Sequence, residues 1–444
     1  MAKLSLLNKK NINQKFIRIG IGIILLFSLS YILGLNLIIP ISLLAVFGYL
    51  KLSAKGMNLK EYNFLHLFFL FITIFVTSYF ILQEWSSWLF IPLCAVTMLT
   101  AILFDQLQLA LLVAFVSSVT VAYIAGSNFL VGLLFFSSGL VSSMLVFRAR
   151  RRIVIIRAGF IAGIIQVFSL LCIEHFHIYQ PNRYTVLFLN GIASSIIVVG
   201  ILPIFEYLFK TVTNVSLLEL TDLNHPLLAR MVLETPGTYH HSLIVGNLSE
   251  AACSVIGANA LLARIGAYYH DIGKLEKPLY FSENQDLSVS KHDALAPTIS
   301  KLIIMNHVKE GIEIANKYKL NPRIIDFIQQ HHGTSLVYYF YRRALENIEE
   351  DGEIKEDGFR YPGPKPKTKE AAVVLLADST EAAVRALKEV LPATIEEVVH
   401  KIINNKFIDG QLDECDLTLK DLEKIAIAFI RLLSAIYHSR LTYP

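Results

Sequence analysis

Two hydrophobic textures divide this chain. From residue 16 to 209 apolar residues run almost unbroken, with short polar interruptions; from 210 to 444 they recur at helical spacing among regularly placed charges. A helix needs about 20 apolar residues to cross a bilayer. The first texture supplies eight candidates, at 16–34, 37–50, 63–82, 87–104, 107–124, 128–147, 153–173 and 185–208. The second is short and holds Pro40, so it is the weakest and pairs with the first as a tight hairpin. No strand pattern of any length and no internal repeat appears in either half. The expected fold class is all-α: a polytopic transmembrane helical bundle over 1–209, then a helical domain over 210–444 long enough for its own core.

In the second half, apolar spacing predicts a helix over Leu217–Glu234, broken at Thr235-Pro236-Gly237. Thr238 is placed to cap the next helix, which carries His241 and ends at Gly257. A helix over Leu261–Asp271 stops at Gly273, Pro297 opens one carrying His307, and Asn321-Pro322 starts one ending at His331-His332-Gly333. Residues 351–369, rich in charge, Pro and Gly, read as a mobile loop, and helices resume over Glu370–Leu387, 394–406 and 417–439.

Charge adds topology. Lys3, Lys9, Lys10, Lys15 and Arg18 precede the first span, Lys51, Lys55 and Lys60 follow the second, and Arg148-Ala149-Arg150-Arg151-Arg152 follows the sixth. With eight spans all three groups fall on one side, together with the C-terminal domain, so that domain is expected in the cytoplasm of a cell (inner or plasma) membrane protein embedded in a lipid bilayer. No acidic residue or Lys lies centrally in a span, which argues against a proton-coupled transporter. The net charge of +4 is small and sits largely beside the spans, so no nucleic-acid polymer is expected as a partner. The four cysteines, Cys94, Cys172, Cys253 and Cys415, form no Cys-x-x-Cys pair and imply neither a disulfide framework nor a zinc–thiolate site.

The chemistry lies in histidine and aspartate. His270-Asp271 sits at a helix end, His331-His332 at another, and His241 and His307 lie within helices. Asp378 falls in the apolar run Val373-Val374-Leu375-Leu376-Ala377-Asp378, where an ionised carboxylate is costly without compensation. Imidazole and carboxylate without thiolate suit Mn, Fe or Zn. Two such ions about 4 Å apart can share a bridging hydroxide and a bridging carboxylate, lower the pKa of bound water and offset charge during in-line displacement at phosphorus. Neighbouring helical side chains diverge by about 100°, so a His-Asp pair reaches a metal from two directions and leaves His240, beside His241, facing away. Lys274, one turn beyond Asp271, reads equally as a catalytic contact to a substrate phosphate and as a helix-end cation.

These residues carry a resemblance. Residues 217–444 resemble the HD-domain phosphohydrolases, and in particular their seven-transmembrane, PgpH-type group of cyclic di-AMP phosphodiesterases. The matching stretches are Asn224-His225-Pro226, Pro236-Gly237-Thr238-Tyr239-His240-His241-Ser242, Tyr269-His270-Asp271-Ile272-Gly273-Lys274, Glu283-Asn284-Gln285, Asn306-His307-Val308, His331-His332-Gly333-Thr334-Ser335, Phe359-Arg360-Tyr361-Pro362-Gly363-Pro364 and Leu376-Ala377-Asp378-Ser379. The resemblance implies that His241, His270, Asp271 and Asp378 hold one metal, and His307, His331, His332 and the shared Asp271 the other, with two divalent ions, iron or manganese. It implies cleavage of cyclic di-AMP to linear pApA. Relatives that cleave cyclic di-GMP follow the second His cluster with a Gly-Tyr-Pro turn; here Thr334-Ser335-Leu336 stands there. Hydrolysis of another nucleotide (cyclic di-GMP or a nucleoside polyphosphate), or a non-catalytic nucleotide receptor, are the alternatives, and a homodimer stays open. The family commonly has a large extracytoplasmic sensing domain after its first membrane helix; here only a short break stands near Leu35-Asn36-Leu37.

Overall fold

The computed structural model describes residues 61–85, 87–222, 225–285, 291–346, 354–387 and 389–437. The chain divides into two compact units, Met1–Val215 and Ser216–Pro444. Among the described residues there is no β-strand, and the only bridge joins Leu336 to Arg360.

In the first unit, α1 (Glu61–Trp85), α2 (Leu93–Phe104), α3 (Leu107–Ile124), α4 (Phe129–Val146), α5 (Arg152–Ile173) and α6 (Pro181–Phe209) follow one another. Five are long and apolar enough to cross a membrane: α1 from His66, then α3 to α6. The expected span at 87–104 is shorter than drawn. Pro92 and a 3-10 turn at Trp88–Phe90 precede α2, whose 12 residues reach only about 18 Å. The expected spans 16–34 and 37–50 lie outside the described residues.

Small residues set the helix spacing here. A Cβ on Gly191 of α6 would stand 2.3 Å from the backbone N of Gly163 and 2.6 Å from the carbonyl of Gly159, both on α5. In lipid, packing of this kind replaces the hydrophobic drive between helices. Polar side chains add to it: Asn190 of α6 donates to the carbonyls of Leu89 and Ile91 at 3.0 and 3.1 Å.

The second unit comprises α7 (Asn214–Glu219, which begins just before it), α8 (Pro226–Glu234), α9 (Pro236–Ile256), α10 (Ala260–Tyr269), α11 (Pro297–Lys317), α12 (Pro322–Gln330), α13 (Tyr338–Glu346), α14 (Lys369–Arg385), α15 (Pro392–Ile408) and α16 (Leu419–Ile436). Its core is built on α14, where every residue from Ala371 to Ala377 is buried against α9, α10, α15 and α16.

Three expectations are corrected. Leu217–Glu234 is not one helix: Pro226, which cannot continue a helix, opens α8 as its first residue. Thr238 is not a cap, because α9 already starts at Pro236, and Thr238 bonds instead to Glu283 and Asn284. The described part of the 351–369 loop is packed, with Phe359 and Tyr361 buried and Arg360 paired to Glu356 and Asp409.

Replacing Gly191 by Leu should force α5 and α6 apart, since overpacking costs about 1–3 kcal/mol. The solubilised variant should melt several degrees below the unaltered protein or fail to accumulate; an unchanged melting curve would show that the close approach is not there.

Candidate metal centre

Asp271 lies between two rings of imidazole. It is 1% exposed and leads from α10 into a 3-10 turn, Ile272–Glu276. Its Oδ2 faces His270 Nε2 at 3.1 Å and His241 Nε2 at 3.8 Å. Its Oδ1 faces His307 Nε2 at 3.3 Å and His331 Nε2 at 3.6 Å. Asp378 Oδ1 stands 3.0 Å from His241 Nε2 and 3.9 Å from His270 Nε2, and its Oδ2 3.6 Å from His332 Nδ1. Donor atoms thus form two groups, His241–His270–Asp271–Asp378 and Asp271–His307–His331–His332, each within 4.8 Å. Two ligands about 2.1 Å from one ion and at right angles lie about 3 Å apart, so this spacing fits a metal.

Local structure explains the convergence. His270 and His331 are the residues on which α10 and α12 end, so both point past a helix terminus. His307 lies on α11 where the 3-10 turn presses on it: a Cβ on Gly273 would stand 1.8 Å from the His307 carbonyl, so no side chain fits there. Asp378 is carried by the buried stripe of α14. His240 is exposed on α9 and faces away from the site, and His292 packs against Tyr280 and Phe340 elsewhere.

Hydrogen bonds fix the imidazole tautomers. Nδ1 of His270 donates to the Ala267 carbonyl at 2.6 Å, that of His307 to Ile304 at 2.5 Å and that of His331 to Ile328 at 2.9 Å. His241 Nδ1 meets Glu381 Oε2 at 2.5 Å. Carbonyls only accept, so in the neutral ring Nε2 keeps its lone pair and turns it into the site. His270 Nε2 and Asp271 Oδ1 are buried with no hydrogen-bond partner among the described residues. Orphaned acceptors so deep in a protein are rare, and a cation between them removes the cost.

The electrostatics agree. Burial alone would raise the Asp271 carboxyl, but His270 and Lys274 outweigh it and hold it well below the usual carboxylate range. Asp378 is held low against burial chiefly by its hydrogen bond to His241. Burial pushes His331 and His332 down, toward the neutral form a ligand needs. Burial would lower His241 too, but Asp378 and Glu381 overcome it and raise it to about 9. Two carboxylates that hold a proton there equally favour a metal in its place.

Lys274 is not a free cation. Its ammonium bridges Asp271 Oδ2 at 2.8 Å and Glu283 Oε1 at 2.7 Å. Burial alone would depress it, but both carboxylates raise it, while Glu283 is lowered to about 2 against its own burial by Lys274. Glu283 also accepts from Thr238, which Asn284 holds as well, so this segment ties the start of α9 to the 3-10 turn. One further group, Glu381, had no place in the sequence expectations, and Tyr361 of the Pro-Gly stretch has a contact they did not contain. Glu381, one turn beyond Asp378 on α14, was signalled by a second acid in the same apolar helix. Tyr361 lies over His332, rings 4.2 Å apart and nearly parallel, and nothing local announced that.

Residues 29–213 match the family described as 7TM receptor with intracellular HD hydrolase, and residues 238–383 match the HD domain. The two halves thus define an all-α membrane protein with an HD-type site. The chain belongs to the seven-transmembrane HD-domain phosphohydrolases. It is 44% identical over 323 residues to the cyclic-di-AMP phosphodiesterase PgpH of Bacillus subtilis, covering 71% of this chain and 45% of that one. With PgpH of Listeria monocytogenes it shares 43% identity over 313 residues, 69% of this chain and 43% of that one. The chain therefore spans somewhat under half the length of these curated relatives. The crystal structure of the Listeria PgpH HD domain in complex with cyclic-di-AMP is 47% identical, with a TM-score of 0.46, covering 49% of this chain and all of that one.

Two outcomes follow for metal binding. Glu381→Ala frees the His241 ring and should weaken metal affinity about 10–100-fold, read by metal analysis after dialysis. A metal must also displace the His241 proton, which is bound below about 9. Affinity should therefore rise with pH up to about 9, and fall by up to about tenfold per unit below it, with proton release on loading. Affinity independent of pH between about 6 and 9 would contradict this.

Proposed function

We propose that this chain is a membrane-bound, metal-dependent phosphodiesterase that hydrolyses cyclic di-AMP to linear pApA. The observation that carries the reading is the shared carboxylate: Asp271 turns one oxygen to each of two imidazole groups. The names of the Bacillus and Listeria relatives supply the substrate. The Thr334-Ser335 sequence after His332, in place of a Gly-Tyr-Pro turn, also favours adenine over guanine.

The residues proposed to hold the ions are His241, His270 and Asp378 on one side, His307, His331 and His332 on the other, and Asp271 between them. Bound there, two divalent cations would supply a water of lowered pKa and positive charge against the phosphoryl oxygens. We take them as iron or manganese, from imidazole and carboxylate donors without thiolate. Asp271 sets the separation of the two positions. Lys274 keeps Asp271 ionised and oriented, and the backbone carbonyls of Ala267, Ile304 and Ile328 keep three imidazoles in the ligating tautomer.

Residues 1–209 form the membrane domain and 210–444 the catalytic domain in this reading. The Arg148–Arg152 cluster supports a cytoplasmic catalytic domain by the bias of basic loops, on the side where the dinucleotide would be met.

Asp271→Ala should abolish turnover and lower metal content while leaving the melting temperature nearly unchanged, because Glu283 still pairs Lys274. Product analysis should show pApA from cyclic di-AMP and far slower turnover of cyclic di-GMP and ppGpp. A folded Asp271→Ala protein with normal turnover would overturn the assignment.

A further inference from the structure

Beside the metal centre stands a cation that no ligand role uses. Lys406, near the end of α15, points its ammonium at the Ser335 hydroxyl, 2.7 Å away. Among the described residues no carboxylate lies within ion-pair distance of it. Burial lowers its pKa from the ordinary lysine value, Asp378 and Asp409 oppose that from farther off, and Arg360 adds to the lowering. An ammonium with one neutral partner has donors to spare.

Its place is fixed by the turn that carries two ligands. The Ser335 carbonyl accepts from Tyr361 N at 3.0 Å, and the Tyr361 ring lies over His332. Gln411 accepts from Thr334 N at 2.8 Å, and Arg360 joins the Thr334 carbonyl to Asp409 at 2.9 and 2.8 Å. These bonds tie residues 331–335 to the end of α15, so Lys406 stays where the His332 turn holds it. That side is where the ligand set opens. The His332 side chain is 23% exposed and that of Asp378 11%, against 2% or less for His241, His270, Asp271, His307 and His331. An anion entering there meets Lys406 outside the ligand groups.

We propose that Lys406, steered by Ser335, binds the phosphodiester of the cyclic dinucleotide that is not being cut. This rests on the dinucleotide phosphodiesterase reading above and extends it to the second phosphate. A phosphate at the metals is held by the imidazole and carboxylate set. The other phosphate of the same ring lies beyond that set and needs a cation of its own. A charge-assisted hydrogen bond from an ammonium suits it. Arg360, by contrast, is engaged with Asp409 and Glu356.

The test uses the full-length, manganese-loaded protein in detergent micelles, with two substrates. Cyclic di-AMP has two phosphodiesters; bis(4-nitrophenyl) phosphate has one. Lys406→Met should raise KM for cyclic di-AMP at least about tenfold, with kcat changed less than about threefold, and leave the one-phosphate substrate within about twofold. Lys406→Arg should recover most of the loss, and Ser335→Ala should raise KM in the same direction by less. Equal losses on both substrates would assign Lys406 to the cut phosphate or to the fold and overturn the proposal. No change on either would overturn it as well. If Lys406→Met does not fold, Lys406→Gln carries the same comparison. An unaltered protein that cleaves bis(4-nitrophenyl) phosphate but not cyclic di-AMP overturns the substrate assignment and this inference together. An unaltered protein that cleaves both, with Lys406→Met indistinguishable from it, overturns this inference alone.

Discussion

The site in the second unit is organised around one burial: a carboxylate, Asp271, removed from water and surrounded by imidazole nitrogens. Taking an ion out of water costs several kcal/mol even after relaxation, and mutual attraction returns this only where geometry is good and the remaining lone pairs are satisfied. Lys274 satisfies part of one oxygen. The rest of that oxygen and all of the other face nitrogens whose protons are directed elsewhere. The arrangement makes physical sense when positive charge lies between them, and the helices are arranged to bring that about. Two of them end at imidazoles of the site, one is crossed closely by a turn at Gly273, and one carries an aspartate into the core.

Much of this could be read from residue order. The two textures separate the apolar and helical halves, and the adjacent His-Asp and His-His pairs at helix ends converge as expected, because a helix terminus lets neighbouring side chains diverge toward one point. Asp378 stood out because its apolar neighbours could not compensate it. Less legible were contacts made only in three dimensions. The ring of Tyr361 over His332 depends on a backbone bridge between Leu336 and Arg360, residues that share no periodicity. The same bridge turned an apparently loose Pro-Gly segment into packed structure. Lys274 shows the limit differently: its position beside Asp271 was plain, but Glu283, which takes up much of its charge, comes from a polar loop whose partners nothing local specifies.

Glu381 was within reach and was missed. One turn from Asp378 on an apolar helix, a second buried acid carries the same cost and calls for the same explanation. Its partner is His241, and a carboxylate so placed fixes the ring's rotation and tautomer and makes its free nitrogen more basic. In the first unit the legible feature was hydrophobic length, and the contact between Gly191, Gly159 and Gly163 was not. Closely packed glycines look like breaks in a pattern until the neighbouring helix is in place.

The helix that bears Asp378 and Glu381 is also the spine of the hydrophobic core, with Ala371 to Ala377 all enclosed. Any outward movement of that helix would open the core before it opened the site. The other wall is of a different kind: the turn at 331–335 is laced to Arg360, Asp409 and Gln411 by polar bonds that water can replace. One side of the site is thus enclosed by the apolar core, and the other is closed by polar bonds beside His332, whose side chain is 23% exposed.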